Sequence, residues 1–201
     1  HSALRRVVMG EDAVGYEATP DQIAAMVALL HRSIEEGGMG FSSTASNSHS
    51  DHQGNPVPSR WATRDEFIAL SAAIGQHPGT SLEFIASASG TFTEDEMNLM
   101  ADMSVAAQRS LNWNVMVVSS DPTAAAGREN KLSASDVASA KGGRVVGLCL
   151  PEPMRMRLCF ASGFVLDILP GVSDVIHLPL PERKAALADP SVRATIAAAL
   201  A

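Results

Sequence analysis

The sequence is short of charge. Charged residues make up 18% of its 201 positions and hydrophobic residues 46%, whereas an ordinary soluble domain carries about 25% charged residues. Much of the surface is therefore expected to lie against something else. The chain also lacks a basic cluster, and its formal net charge is −7. That balance argues against nucleic acid or an anionic membrane surface as a partner. Cysteine is scarce. Cys149 and Cys159 both sit in apolar segments and are expected to be buried thiols rather than a disulfide or a metal site. No apolar run approaches the ~20 residues of a membrane span, and the first residues show no leader pattern, so the cytoplasm is the expected location. Three catalytic signatures are missing: a glycine-rich phosphate loop, a Ser-His-Asp pattern and a His-Glu-x-x-His pattern.

What is present is a regular alternation of helix and strand signals. Residues 1–18 read as irregular, with one helical turn at most. Thr19, Pro20 and Gln22 form a capping box with proline at the first helical position. Ile23, Met26, Val27, Leu30 and Ile34 follow as one apolar stripe, ended by Gly37 and Gly38. His31 lies beside this stripe with a structural role. Thr63 with Glu66, and Thr93 with Glu96, read as two further capping boxes. Phe67, Leu70 and Ile74 form the stripe after the first, and Met97, Met100, Met103 and Ala107 the core face after the second. A weaker helix opens at Ser133 and ends at Gly142 and Gly143, and short helices begin at Pro181 and, with Asp189 as N-cap, at Pro190. Strand candidates are residues 40–44, 82–86, 113–119 and 144–150. Strands alternating with helices imply βαβ units and a parallel sheet. Four strands suit a small open sheet or half of a closed eight-stranded barrel.

The chain is organised around residues 37–61. A helix ends at the glycine pair, a short strand follows, and a long polar loop carries His49, Asp51, His52 and Arg60. In α/β proteins, loops leaving the C-terminal ends of strands are where ligands sit.

Several separated blocks stand in the order of one known family. They are His1-Ser-Ala-Leu-Arg5, Val8-Met-Gly-Glu-Asp-Ala13, Glu17-Ala-Thr-Pro-Asp-Gln-Ile-Ala-Ala-Met26, Gly38-Met-Gly-Phe-Ser-Ser-Thr44, Pro56-Val-Pro-Ser-Arg60 and Pro181-Glu-Arg-Lys-Ala-Ala-Leu-Ala-Asp-Pro-Ser-Val-Arg193. The chain resembles the N-acyl-D-amino-acid deacylase branch of the metal-dependent amidohydrolases. The resemblance implies that residues 1–201 are the middle of a longer (β/α)8 hydrolase, a TIM-like barrel, with a His-x-His metal pair upstream and a catalytic Asp downstream. His1 is then native and internal; the alternative is a leftover tag residue. The implied reaction is hydrolysis of a non-peptide C–N bond in an N-acylated amino acid or similar amide, with zinc or another divalent ion in the parent protein. Alone, the chain is expected to be inactive.

The residues depart from that pattern at two middle strands. Ser87 and Ser89 on one, and residues 117–121 on the other, stand where metal histidines are expected. The local metal-ligand candidates are His49, Asp51 and His52, in a loop whose plainer reading is a solvated surface loop. Arg60, presented by a stiff Pro-Val-Pro segment, suits a substrate carboxylate. Ser87 and Arg155 are further substrate-binding candidates, with Ser89 and Arg157 near them, and Asp121 is the candidate proton carrier. Two other readings stay open: a non-catalytic, barrel-derived module binding a small ligand or a protein, and an unrelated α/β domain that packs as a homo-oligomer.

Overall fold

The computed structural model describes residues 1–51, 53–118, 124–153, 155, 157, 166, 169 and 171–199. The chain divides into two compact units, one formed by His1–Ser46 and Pro58–Met154, the other by Asn47–Val57 and Arg155–Ala201.

The first unit is a βα repeat. Helix α1 (Ser2–Met9) runs into a 3-10 turn (Gly10–Ala13), followed by α2 (Pro20–Glu35), β1 (Gly40–Thr44), a second 3-10 turn (Pro58–Trp61) and α3 (Arg64–Gly75). Then come β2 (Ser81–Ile85), α4 (Glu94–Ala107), β3 (Leu111–Met116), α5 (Ala124–Ala140) and β4 (Val145–Cys149). The four strands form one parallel sheet in the order β1-β2-β3-β4. Crossovers of this kind are right-handed in almost all proteins, which puts the connecting helices on one face. The helices touch in a row, α2 on α3, α3 on α4 and α4 on α5. The expected α/β class and parallel sheet are thus present.

Alternation along the strands sets the core. Phe41, Leu82, Phe84, Leu111 and Trp113 are buried toward the helices, where Phe67, Leu70 and Ile74 of α3 and Met97, Met100 and Met103 of α4 meet them. The methionines are core, as their spacing predicts. Phe67 and Phe84 pack edge to face at 5.2 Å. Each such buried side chain contributes about 1.5–3 kcal/mol. Gly40 is required where β1 starts. Its φ is +149°, and a Cβ there would lie 2.1 Å from the Ser81 carbonyl oxygen, so only glycine lets the two strands meet.

Local signals hold at the helix starts. Thr19 with Gln22, and Thr93 with Glu96, close complete capping boxes. At α3 only half the box exists: the Glu66 amide donates to Thr63 Oγ1 at 3.3 Å, while the Glu66 carboxylate turns into the core. Thr93→Ala should cost about 1 kcal/mol, read as a shifted urea midpoint with an unchanged slope. A slope change would mean the helix start does not survive the loss of its cap.

Three expectations are corrected. Residues 2–13 are helical rather than irregular, because α1 docks through buried Met9 and a buried Arg5. Helix α5 begins at Ala124, nine residues before the predicted start at Ser133. Cys149 is exposed at the end of the edge strand β4, not buried; Cys159 lies outside the described residues.

In the second unit, Ser50 and Pro56 form an antiparallel bridge. Helices α6 (Ser173–Ile176), α7 (Leu180–Ala188) and α8 (Pro190–Ala199) follow, with Val175 and Ile176 buried. Asp189 caps α8 as predicted, its Oδ1 accepting from the Ser191 amide at 2.7 Å. Among the described residues no helix is long and apolar enough to cross a membrane.

Candidate functional site

The C-terminal ends of β2 and β3 carry a cavity of about 480 Å³. Its wall on one side is the loop after β2, with Ser89, Gly90 and Thr91; on the other it is the start of α5, with Gly127, Arg128 and Lys131. Met116 and Val117 at the end of β3 complete it. Two devices hold the walls together. Asn130 accepts from the Phe92 amide through Oδ1 at 2.7 Å and donates to the Phe92 carbonyl through Nδ2 at 3.2 Å. Gly127 has no side chain to spare: a Cβ there would meet the Gly90 oxygen at 2.7 Å. The Lys131 ammonium lies 5.1 Å from the centre of the Phe92 ring and 6.0 Å from that of Trp113. Burial pushes its pKa below the usual lysine range, against the pull of the Glu96 charge. A second cleft of about 310 Å³ runs along the ends of β3 and β4, between Val117, Val118 and Cys149 to Glu152.

The strand residues that alternate with the core are unusually polar. Ser42, Glu83 and Asn112 stand in register across three strands, with Asn114 one step further along and hydrogen-bonded to Glu83. Among the described residues Asn114 Oδ1 and Ser87 Oγ are buried without a hydrogen-bond partner, and such a group costs about 1–3 kcal/mol unless something satisfies it.

On the helix side of the sheet a buried network joins four residues that sequence reasoning left apart. His1 Nδ1 lies 2.7 Å from Ser43 Oγ, and His1 Nε2 lies 2.7 Å from Glu66 Oε1. Arg5 donates through Nη1 to Glu66 Oε2 at 2.5 Å, through Nη2 to the Tyr16 carbonyl at 2.6 Å and through Nε to the Ala13 carbonyl at 3.3 Å. The side chains of Arg5 and Glu66 are fully buried and that of His1 is 1% exposed. The His1 ring packs edge-on against Phe41 and Phe67. With Glu66 ionised, the network assigns the proton of His1 to Nε2, leaving Nδ1 to accept from Ser43. Burial pushes the Glu66 carboxyl above its usual range, and the Arg5 hydrogen bond and charge pull it partly back. The order serine, histidine, carboxylate matches a hydrolytic triad, but Ser43 is itself buried inside the helix-packed core, so the arrangement ties α1 to α3 and β1. The sequence signal was slight: a glutamate beside the apolar stripe of α3 and an arginine on the buried face of α1.

The expected site residues are spread over both units. Arg60 is half-buried in the 3-10 turn Pro58–Trp61, and Ser87 follows β2; both belong to the first unit. Ser89 does line the cavity. His49, Asp51, Arg155 and Arg157 belong to the second unit, the two arginines exposed. The Asp51 carboxylate is engaged by its own loop. Its Oδ1 accepts from the amides of Gln53 and Asn55, each at 2.9 Å, and its Oδ2 from Asn55 Nδ2 at 3.3 Å. That is Asx-turn chemistry. Among the described residues no three His, Cys, Asp or Glu side chains are grouped to hold a metal ion, so what is described does not make up a zinc site. His52 and Asp121 lie outside the described residues.

No protein-family model, curated protein or solved structure matches this chain.

Proposed function

We propose that the chain supplies four consecutive strands, with the helices that connect them, of a (β/α)8 hydrolase that cuts a non-peptide C–N bond, the amide of an N-acylated amino acid. The observation that carries this reading is the polar row Ser42, Glu83, Asn112 and Asn114 on the sheet face opposite the helices. A doubly wound sheet covers both faces with helices and fills both with apolar residues. A sheet with sequential strand order and helices on one side leaves its other face to become a barrel interior. The substrate would then enter at the C-terminal strand ends, where the cavity beside Ser89 opens. The amide chemistry comes from the resemblance of the blocks at residues 1–60 and 181–193.

The test is release of free amino acid from N-acyl-D- and N-acyl-L-amino acids by the longer protein the resemblance implies, with its zinc content measured on material never exposed to chelator. Turnover that depends on bound divalent metal and falls about 100-fold or more in Asp121→Asn, as loss of a general acid–base would give, is the expected result. A metal-free protein that hydrolyses none of these amides would overturn the reading. A second reading, a barrel-derived module that binds a small ligand without chemistry, is favoured by one observation. Ser87 and Ser89 occupy positions where the family's metal histidines are expected. Saturable binding of the same amides without turnover would select it.

A further inference from the structure

We propose that the cavity at the ends of β2 and β3 is a subsite for a small organic acid, whose carboxylate sits between Arg128 and Lys131 and whose apolar body lies on Met116 and Val117. The site rests on the preceding reading only for the claim that the acid is the substrate.

Charge bookkeeping inside the cavity points to an anion. Arg128 and Lys131 are three residues apart on α5, hence neighbours on one helix face, where like charges repel. Both are half-buried. Among the described residues neither takes part in an ion pair, and the described residues that line the cavity include no carboxylate. The acid nearest in effect, Glu96, is already held by Thr93 Oγ1 and the Thr93 amide in the capping box of α4. Two cations therefore share a partly desolvated space in which, among the described residues, only the Glu96 charge acts to offset that of Lys131. A carboxylate arriving there would offset both the repulsion and the desolvation, with charge-assisted hydrogen bonds each worth about 1.5–3 kcal/mol.

The cations are also positioned in advance. Phe92 and Trp113 lie under the Lys131 ammonium, which fixes the long side chain before any ligand arrives and lowers the ordering cost of binding. Arg128 stands one residue after Gly127, where α5 closes on the Gly90 carbonyl. The rest of the wall selects the body of the ligand. Ala88, Met116 and Val117 give the cavity apolar surface, and Ser89 and Thr91 line it as well. An inorganic anion would leave that apolar surface wet, whereas an acid with a short apolar chain covers it.

The experiment is titration of the 201-residue chain, in a Trp61→Phe background so that Trp113 is the sole indole, followed by fluorescence and calorimetry. The probes are N-acetyl-D-leucine, N-acetyl-L-leucine, N-acetylleucinamide and inorganic phosphate. At least one of the two acids should saturate the fluorescence change, and the neutral amide should bind at least about tenfold more weakly, the loss of one charge-assisted contact. Lys131→Met and Arg128→Met should each weaken the acid by a similar factor, while Lys131→Arg keeps it and circular dichroism stays unchanged. Equal affinity for acid and amide, phosphate as tight as the acid, or no saturable binding would overturn the site. Acid binding without turnover by the longer protein would leave the site standing and remove the hydrolase. Turnover with an unchanged KM in Lys131→Met would do the reverse.

Discussion

Replacing Arg5 with methionine should destabilise the first unit by about 3–5 kcal/mol, because it strands a fully buried carboxylate. Arg5 is the counter-ion of Glu66 and also satisfies two carbonyls, those of Ala13 and Tyr16. Methionine fills much of the volume and replaces none of these bonds. Removing both charges together, in Arg5→Met with Glu66→Leu, should recover the part of the loss that comes from the stranded carboxylate, while the bonds to the Ala13 and Tyr16 carbonyls and to His1 stay lost. The pH dependence separates this account from simple loss of packing. The folded-state pKa of Glu66 is raised, so between the ordinary glutamate value and the raised value the folded state holds more protons than the unfolded state. Stability attributable to Glu66 is therefore fully present below the ordinary value and is lost as pH rises through the raised one. Without Arg5 that upward shift grows. The gap between Arg5→Met and the parent should thus narrow as pH falls through the raised pKa, measured by urea denaturation across the acid range. A gap below 1 kcal/mol, or one that is constant with pH, would show that the network contributes little.

Trp113→Ala should cost about 3–5 kcal/mol by leaving a cavity in the packed core. The indole is 1% exposed, packs edge-on against Phe92 at 5.1 Å and lies against Gly147 of the neighbouring strand. A Cβ on Gly147 would stand 2.8 Å from the indole Cζ2. Gly147→Val in the parent should therefore overpack the site and cost about 1–3 kcal/mol. In the Trp113→Ala background the clash disappears and the valine occupies emptied space, so the two changes together should cost clearly less than their sum. Strict additivity would contradict the contact. Trp113 also supports Lys131, so its loss should weaken acid binding beyond its effect on folding, while Trp113→Phe keeps a ring under the ammonium and should retain more of it.

The features legible from sequence were those set by neighbours along the chain. Thr19 with Gln22 and Thr93 with Glu96 closed their boxes because a helix N-cap needs only a side-chain oxygen and an amide three residues away. The stripe through Met26 and Leu30, the methionines of α4 and the four strands followed from periodicity. The same logic failed at Glu66. Its amide meets Thr63 as predicted, but its carboxylate goes to Arg5 and His1, residues 61 and 65 positions away, and a partner that distant leaves no local trace. Helix α1 was missed for the same reason. Eight residues make a marginal helix alone, and the buried Arg5 is what anchors it.

Cys149 shows the converse. An apolar run predicts burial, yet burial requires a neighbour, and among the described residues β4 is the last strand of this sheet. The candidate site divides along the same line. Sequence pointed to strand ends as the place for a ligand, and Ser89 is there. Arg128 and Lys131 were invisible because nothing in their spacing separates a cavity-lining pair from a solvated helix face. The order of the elements, their caps and the parallel pairing were thus determined by the sequence itself, through contacts a few residues long and a period of hydrophobicity. Which charges are buried, which cations share one cavity and which polar row lies opposite the helices were decided only by the tertiary structure, because desolvation depends on what the fold brings near from far along the chain.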